Sequence, residues 1–438
     1  MAGLGPFVAD APGQPPVALA VSGGGDSLCL AWLARQWRHS LLAFVVDHGL
    51  RAESAAEAAL TIERLRVMGV PARLLTLTDL PYGPGIAHRA RNARYAALRA
   101  ACRAEGCLDL LLGHQADDQA ETACMRQAAG SGPDGLAGMG WISLLPDLRL
   151  VRPLLGVSRL ALRNTLRAAG LAWVDDPSNE DRRAERVRIR HALGDESLRE
   201  KFWCLAMEAG AGRMAREAER AAALARTVAV LPQGWARLGP HLPEPALLAM
   251  LIRCISGRVY PPAPDAVERL CAAVQAGGTA QGGATLAGAR LVRWRDIWWL
   301  LREAAAMAPA MPARAGAVWD GRFTLSVPAD SCWAAAEGAD NTADSAGLYV
   351  AAAGAGLPRA ARQGWPAAFC ATLPALWWRG VRVAVPALDW VAPEGLMPAD
   401  ASGYKAASFF FTPPAPLSGG GVYGPLSGAG PDNICFQP

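Results

Sequence analysis

A chain of 438 residues exceeds a usual single domain, and with 52% hydrophobic residues it can bury more than one core. The net charge of +4 is modest, but Lys201 and Lys405 are the only lysines, so the basic character is carried by clustered arginines suited to phosphate oxygens. Ten cysteines without a CxxC pair argue against a zinc or iron–sulfur framework, Cys102 and Cys107 being the nearest two. The first residues, MAGLGPFVADAPGQPP, lack a basic region followed by an apolar run, and no segment reaches the ~20 apolar residues of a membrane span, so a cytoplasmic protein is expected.

Up to about residue 190, short apolar segments alternate with helical ones, as in a parallel α/β sheet. The first predicted strand, 17–21, runs into Ser22, Gly23, Gly24, Gly25, Asp26 and Ser27, which open a helix over 26–38. Backbone N–H groups of such a turn converge where the positive end of the helix also favours an anion, making a phosphate cradle. The turn lacks the lysine of a Walker A loop and the three-glycine spacing of the dinucleotide fingerprint; a plain tight turn is the simpler alternative. Asp26 is the acid placed to serve Mg²⁺ beside the phosphates.

A second strand at 41–46 ends in Asp47, His48, Gly49, Leu50 and Arg51, followed by a helix at 53–69 and a strand at 73–77. The next helix, 86–105, carries Arg89, Arg91, Arg94, Arg99 and Arg103, with Arg91 and Arg94 within one turn of each other; a solvated face is the bland reading. After the strand at 109–112, Gly113, His114 and Gln115 lead into a helix at 117–129 carrying Asp117, Asp118 and Glu121. Three carboxylates this close repel one another, so a metal or an ammonium group is expected among them, although one or two acids could simply complement the helix dipole. In an open α/β sheet the ligand crevice lies beyond the carboxyl ends of the strands, where residues 22–27, 47–51 and 113–121 all fall. A strand at 149–152, a helix at 158–169 capped by Ser158, a turn at 175–179 and an arginine-rich run at 182–190 complete this part.

Residues 195–230 read as one or two helices, 245–256 and 264–276 as further helices, and 281–303 as a glycine-punctuated hairpin with a buried aromatic run. The domains expected are 1–193, a mainly helical 195–305, a small β-rich 316–415, and a loose tail at 416–438.

Taken in order, SGGGDS, DHGLR, ARNARY, GHQADDQAET, GSGPDGLAGM, RPLL, DDPSN and RVRIRHAL resemble the tRNA(Ile)-lysidine synthetases over roughly residues 17–193, with QGGATLAGARL and LPALWWRGVRV suggesting relation further along. The resemblance implies an adenine nucleotide α-hydrolase-like domain that uses ATP and Mg²⁺ to adenylate the wobble cytidine of a CAU-anticodon tRNA(Ile). Attack by the ε-amine of L-lysine then releases AMP. It also implies that Ser22 to Ser27 hold pyrophosphate, with Asp47 and His48 on the ATP side. Asp118 and Glu121, with His114 and Asp117, would receive lysine, and Arg94, Arg186 and Arg190 would meet the cytidine or the developing phosphate charge. A homodimer is compatible with this picture. Gln115, Ala129 and Val187 depart from the family pattern, which has histidine, arginine and asparagine there. The competing readings are a tRNA thiolase of the same loop class, which would need paired cysteines, a NAD or GMP synthetase, and a non-catalytic RNA-binding protein with a degenerate nucleotide site.

Overall fold

The computed structural model describes the chain except residues 2, 50–53, 78–82, 84, 175–184, 277–282, 328–346, 394–405, 415–416, 418–420 and 424–438. Its contacts divide into two compact units, Met1–Glu217 with Gly419–Pro438, and Ala218–Ser418.

The first unit is built on a six-stranded sheet of β1 (Val17–Ala20), β2 (Leu41–Asp47), β3 (Ala72–Thr76), β4 (Asp109–Leu112), β5 (Ile142–Leu144) and β6 (Arg149–Val151) in the order β3-β2-β1-β4-β6-β5. All neighbours are parallel except β5 and β6. Strands covered on both faces need apolar side chains at every position, and here both faces are packed. Leu19 and Leu111 join one core cluster with Leu28, Leu65 and Leu162, while Ala18, Leu110 and Leu112 join another with Phe44 and Leu98. The helices are α1 (Gly25–Trp37), α2 (Ser54–Val67), α3 (Ile86–Ala104), α4 (Ala116–Ala128), the short α5 (Pro133–Leu136), α6 (Arg159–Ala168), α7 (Glu185–Ala192) and α8 (Glu196–Thr227). Ser158 caps α6 as anticipated, its Oγ accepting from Ala161 N at 3.2 Å. The strand order reverses between β1 and β4, so the turns after these two strands flank the switch point at which such sheets bind ligands.

The parallel α/β class and its five anticipated strands are present. The sequence reading omitted β5, whose three residues pair only with β6 in the sheet, and of the one or two helices it allowed over 195–230 the structure has one, α8, which runs 32 residues. The division at Glu217 falls inside that helix.

The second unit holds helices Pro245–Ser256 and Pro264–Gln275, each with proline in its first turn, where a missing N–H costs nothing. Beside them is a five-stranded antiparallel sheet that includes Ala284–Leu286, Ala289–Trp294 and Ile297–Arg302, so the stretch read as a hairpin contains a three-stranded meander. A second five-stranded sheet and a three-stranded one lie between Met311 and Phe411. No helix among the described residues is long and apolar enough to cross a membrane.

Candidate functional site

The turn after β1 is tight because its residues allow nothing larger. Gly23 adopts φ +86°, and a Cβ there would collide with Thr61 Oγ1. Gly24 is the extended N-cap of α1. Ser27 Oγ ties the loop together, accepting from Ser22 N at 3.2 Å, donating to Gly24 O at 2.9 Å and lying 3.2 Å from Ser22 Oγ. The first N–H groups of α1, which have no partner within the helix, thus open on the crevice. From the other side, a Cβ on Gly113 at the end of β4 would sit 3.0 Å from Ser27 Cα, so this glycine lets β4 abut the start of α1. Trp173 covers Gly25, where a Cβ would be 3.3 Å from Trp173 Cδ1, and Val174 N donates to Gly23 O at 3.3 Å. The sequence reading named neither Trp173 nor Val174. Their contact with the loop is made across some 150 positions, beyond the reach of any local pattern.

Asp47 turns its carboxylate back on its own loop, accepting from Gly49 N at 2.9 Å and from Ser54 Oγ, and the Ser54 and Gly49 bonds hold it below the usual carboxylate range. Burial and the nearby Arg94 push His48 down, and its Nδ1 is buried without a hydrogen-bond partner. Arg91 and Arg94 on α3 both lie against the Tyr95 ring, at 5.3 Å and 5.5 Å from its centroid. Leu50 and Arg51 fall outside the described residues.

The carboxylates of α4 do not share one patch. Asp117 points away, accepting from Arg159 N at 2.8 Å and pairing with Arg199 Nε at 3.2 Å, so it anchors the start of α6. Asp118 and Glu121 face α7. The Arg186 fork spans both, Nη2 at 2.8 Å from Asp118 Oδ1 and Nε at 2.7 Å from Glu121 Oε2, and Arg190 Nε lies 2.7 Å from Glu121 Oε1. Arg159 joins the cluster to the phosphate loop, with Nε 3.7 Å from Asp26 Oδ2 and Nη2 3.5 Å from Asp118 Oδ1 and 3.7 Å from Glu121 Oε1. The three acids expected together are therefore reduced to two, Asp118 and Glu121. Asp117 leaves the group, and guanidinium groups from α6 and α7 balance the rest; among the described residues no cluster of three His, Cys, Asp or Glu could hold a metal ion. Arg159 carried no motif signal and was missed; the charge excess on α4 was the only hint that such a partner existed.

Electrostatics differ within this cluster. Burial lifts Asp26 to about 6, against Arg159 and with Asp118. Burial also raises Asp118, against Arg186. For Glu121, burial pushes upward but hydrogen bonds from Arg190 and Arg186 prevail and lower it. Gln115, where the family pattern has histidine, is fully buried and caps α4, its Oε1 accepting from Asp117 N at 2.6 Å while Asp118 Oδ2 accepts from Gln115 N at 3.1 Å. Burial pushes His114 down to about 3, helped by Arg152, Arg186, Arg91 and Arg94, so it is a neutral imidazole. The DDPSN turn and Arg182 and Arg183 lie outside the described residues.

A glycine loop at the switch point of a parallel sheet, facing an acidic helix across an arginine bridge, defines a PP-loop nucleotide-binding domain, and the PP-loop domain family ATP_bind_3 matches residues 4–197. Such a domain binds ATP. The chain is 37% identical over 334 residues to a tRNA(Ile)-lysidine synthase of Ruegeria pomeroyi, covering 72% of this chain and 78% of that protein. It is 40% identical over 324 residues to one of Hyphomonas neptunium, covering 69% and 85%, and 40% identical over 296 residues to one of Novosphingobium aromaticivorans, covering 64% and 87%. The chain belongs to the tRNA(Ile)-lysidine synthase family.

Proposed function

We propose that this chain ligates free L-lysine to the wobble cytidine of a CAU-anticodon tRNA(Ile), consuming ATP and yielding lysidine, AMP and pyrophosphate. In the first step an oxygen of the base bonds to the α-phosphorus and pyrophosphate leaves; in the second the lysine ε-amine forms the carbon–nitrogen bond and AMP leaves. The observation that carries this reading is the arginine bridge: Arg159 lies within 3.7 Å of Asp26 at the phosphate loop and within 3.7 Å of Asp118 and Glu121. Nucleotide and amine subsites thus share one cationic residue.

Ser22, Gly23, Gly24, Gly25 and Ser27 hold the departing pyrophosphate by the N–H groups of the loop and first turn. Asp26 suits Mg²⁺, because its carboxylate stands at the loop at a distance of 3.7 Å from Arg159, and Mg²⁺ typically takes one or two carboxylates with the rest of its shell from phosphates and water. Bound there, the metal would neutralise charge on the leaving group. Asp118 and Glu121 receive the lysine ammonium in place of Arg186. Arg94, Arg186 and Arg190 are then available to the cytidine and to phosphate oxygens. His48, half-buried and held below its ordinary range, faces the nucleotide side, and His114 flanks the amine subsite. The ε-amine must lose a proton before it attacks; Asp118, whose buried carboxylate has raised proton affinity, is the acceptor we favour. A cytoplasmic location is part of the proposal, supported by the need for ATP, lysine and tRNA together. The proposal includes a homodimer, which the mass of the purified protein in solution would test.

The thiolase alternative finds no support in the nearest cysteine pair, since Cys102 and Cys107 are packed in the apolar cluster with Leu98 and Leu110. The test is to incubate the protein with ATP, Mg²⁺, lysine and a CAU tRNA(Ile) transcript, digest the RNA and weigh the nucleosides. A lysine adduct on the wobble cytidine is expected; an unchanged cytidine alongside an active control enzyme overturns the reading.

A further inference from the structure

The residues Gly421, Val422 and Tyr423 return to the first unit. Val422 forms an antiparallel bridge with Ile142 on the edge strand β5: Val422 N donates to Ile142 O at 3.0 Å, and Val422 O accepts from Ile142 N at 3.4 Å and Trp141 N at 2.6 Å. The Val422 side chain packs against the main core cluster of the sheet. Tyr423 N donates to Met214 Sδ at 3.3 Å, and the Arg213 guanidinium stacks on the Tyr423 ring at 4.1 Å from its centroid.

Two glycines make room for this contact. A Cβ on Gly140 would lie 3.1 Å from Val422 O. A Cβ on Gly210 would lie 3.0 Å from the Tyr423 carbonyl carbon and closer still to its oxygen. Gly210 is inside α8, where glycine is a poor helix former, and the approach of Tyr423 is the one reason the structure offers for it.

The same segment of β5 holds Arg152 from its other side. Arg152 N donates to Trp141 O at 2.8 Å, and Nη1 donates to Gly140 O at 2.6 Å and to Ser143 Oγ at 2.9 Å. Arg152 is 8% exposed and is the strongest charge acting on His114. Edge strands expose unpaired backbone groups, and this one is satisfied by the chain's own later residues.

We infer that Gly421–Tyr423 form a docked strap that fixes the 140–143 segment and through it Arg152, making Tyr423 a positioning residue for the reaction. The strap goes beyond the proposed function and rests on it only for the kinetic arm of the test.

In the full-length protein, Gly210→Ala and Val422→Pro are compared with the parent by amide exchange at Trp141 and Ile142 and by the rate of pyrophosphate release. Exchange at both amides is expected to rise more than tenfold, and kcat to fall severalfold with KM for ATP little changed. Tyr423→Ala reproduces the loss of kcat, whereas Tyr423→Phe, which keeps the ring over Arg213, retains the parent rate. Gly210→Ala separates the alternatives by sign, since alanine stabilises a helix whose glycine has no other duty. The inference is overturned if Gly210→Ala raises thermal stability with Trp141 and Ile142 still protected, or if protection is lost and turnover stays at the parent rate. If the parent itself forms no lysine adduct, the proposed function fails, and the exchange arm still decides whether the strap docks.

Discussion

Asp26 occupies the first turn of α1 with its carboxyl lifted to about 6, because burial disfavours the charge more than Arg159 at 3.7 Å restores it. Below the ordinary value of 3.8 the group is protonated in both folded and unfolded chains, and its burial carries no pH-dependent cost. As pH rises from there through about 6, the unfolded chain ionises first, so the folded state loses stability and the penalty is complete above 6. Asp26→Asn is therefore expected to raise stability by about 1–3 kcal/mol at pH 7–8, an advantage that fades toward pH 4; urea unfolding across that range checks it. The same variant is expected to lose pyrophosphate release while keeping tRNA affinity, and the parent's kcat/KM should climb as pH passes through about 6. At this scale the sequence pointed to the glycines, Asp118 and Glu121 through motif order. It could not separate Asp117 from its neighbours, since the direction in which Asp117 points is set by Arg199 and by the start of α6, both distant in sequence.

Between α4 and α7, the i,i+4 spacing of Arg186 and Arg190 presents two guanidinium groups to one buried glutamate, which is 2% exposed. Removing the carboxylate by Glu121→Ala takes from Arg190 its carboxylate partner and leaves Arg186 with Asp118 alone. Because they are themselves partly exposed, a loss of about 1–3 kcal/mol is expected rather than the larger cost of a fully buried pair, measurable by denaturant titration. Between β4 and α1, Gly113→Ala is expected to cost about 1–3 kcal/mol by forcing the two elements apart and to slow catalysis as well, because the displaced element carries Ser27. The elements of the sheet were largely legible because strands buried on both faces read as short apolar runs between amphipathic helices, as in 17–20, 41–47 and 109–112. β5 was not: Ile142–Leu144 is three residues long, and its pairing depends on β6 and on Val422. The hairpin of Ala289–Trp294 and Ile297–Arg302 was legible because its pairing is local, whereas beyond residue 304 pairings such as that of Phe323–Ser326 with Ser408–Phe411 are distant in sequence, and composition identified only β-rich character there.

Across the whole molecule the basic residues are arginines, apart from Lys201 and Lys405. A protein that grips RNA through guanidinium groups should release counterions on binding, so tRNA affinity is expected to fall steeply between 50 and 200 mM salt, on the order of a hundredfold or more, as a filter-binding titration would show. The unit that carries the phosphate loop draws on two separate stretches of chain, and Val422 follows its partner Ile142 by about 280 positions. At ~5–20 residues per second a ribosome takes roughly 15–60 s to cover that gap. Throughout that interval the nascent chain already contains every phosphate-loop and acidic-helix residue, while the edge of β5 stands open. The catalytic unit is completed by residues translated after the whole of the second unit, so a chain that stalls partway through that unit still presents the edge of β5 without its partner.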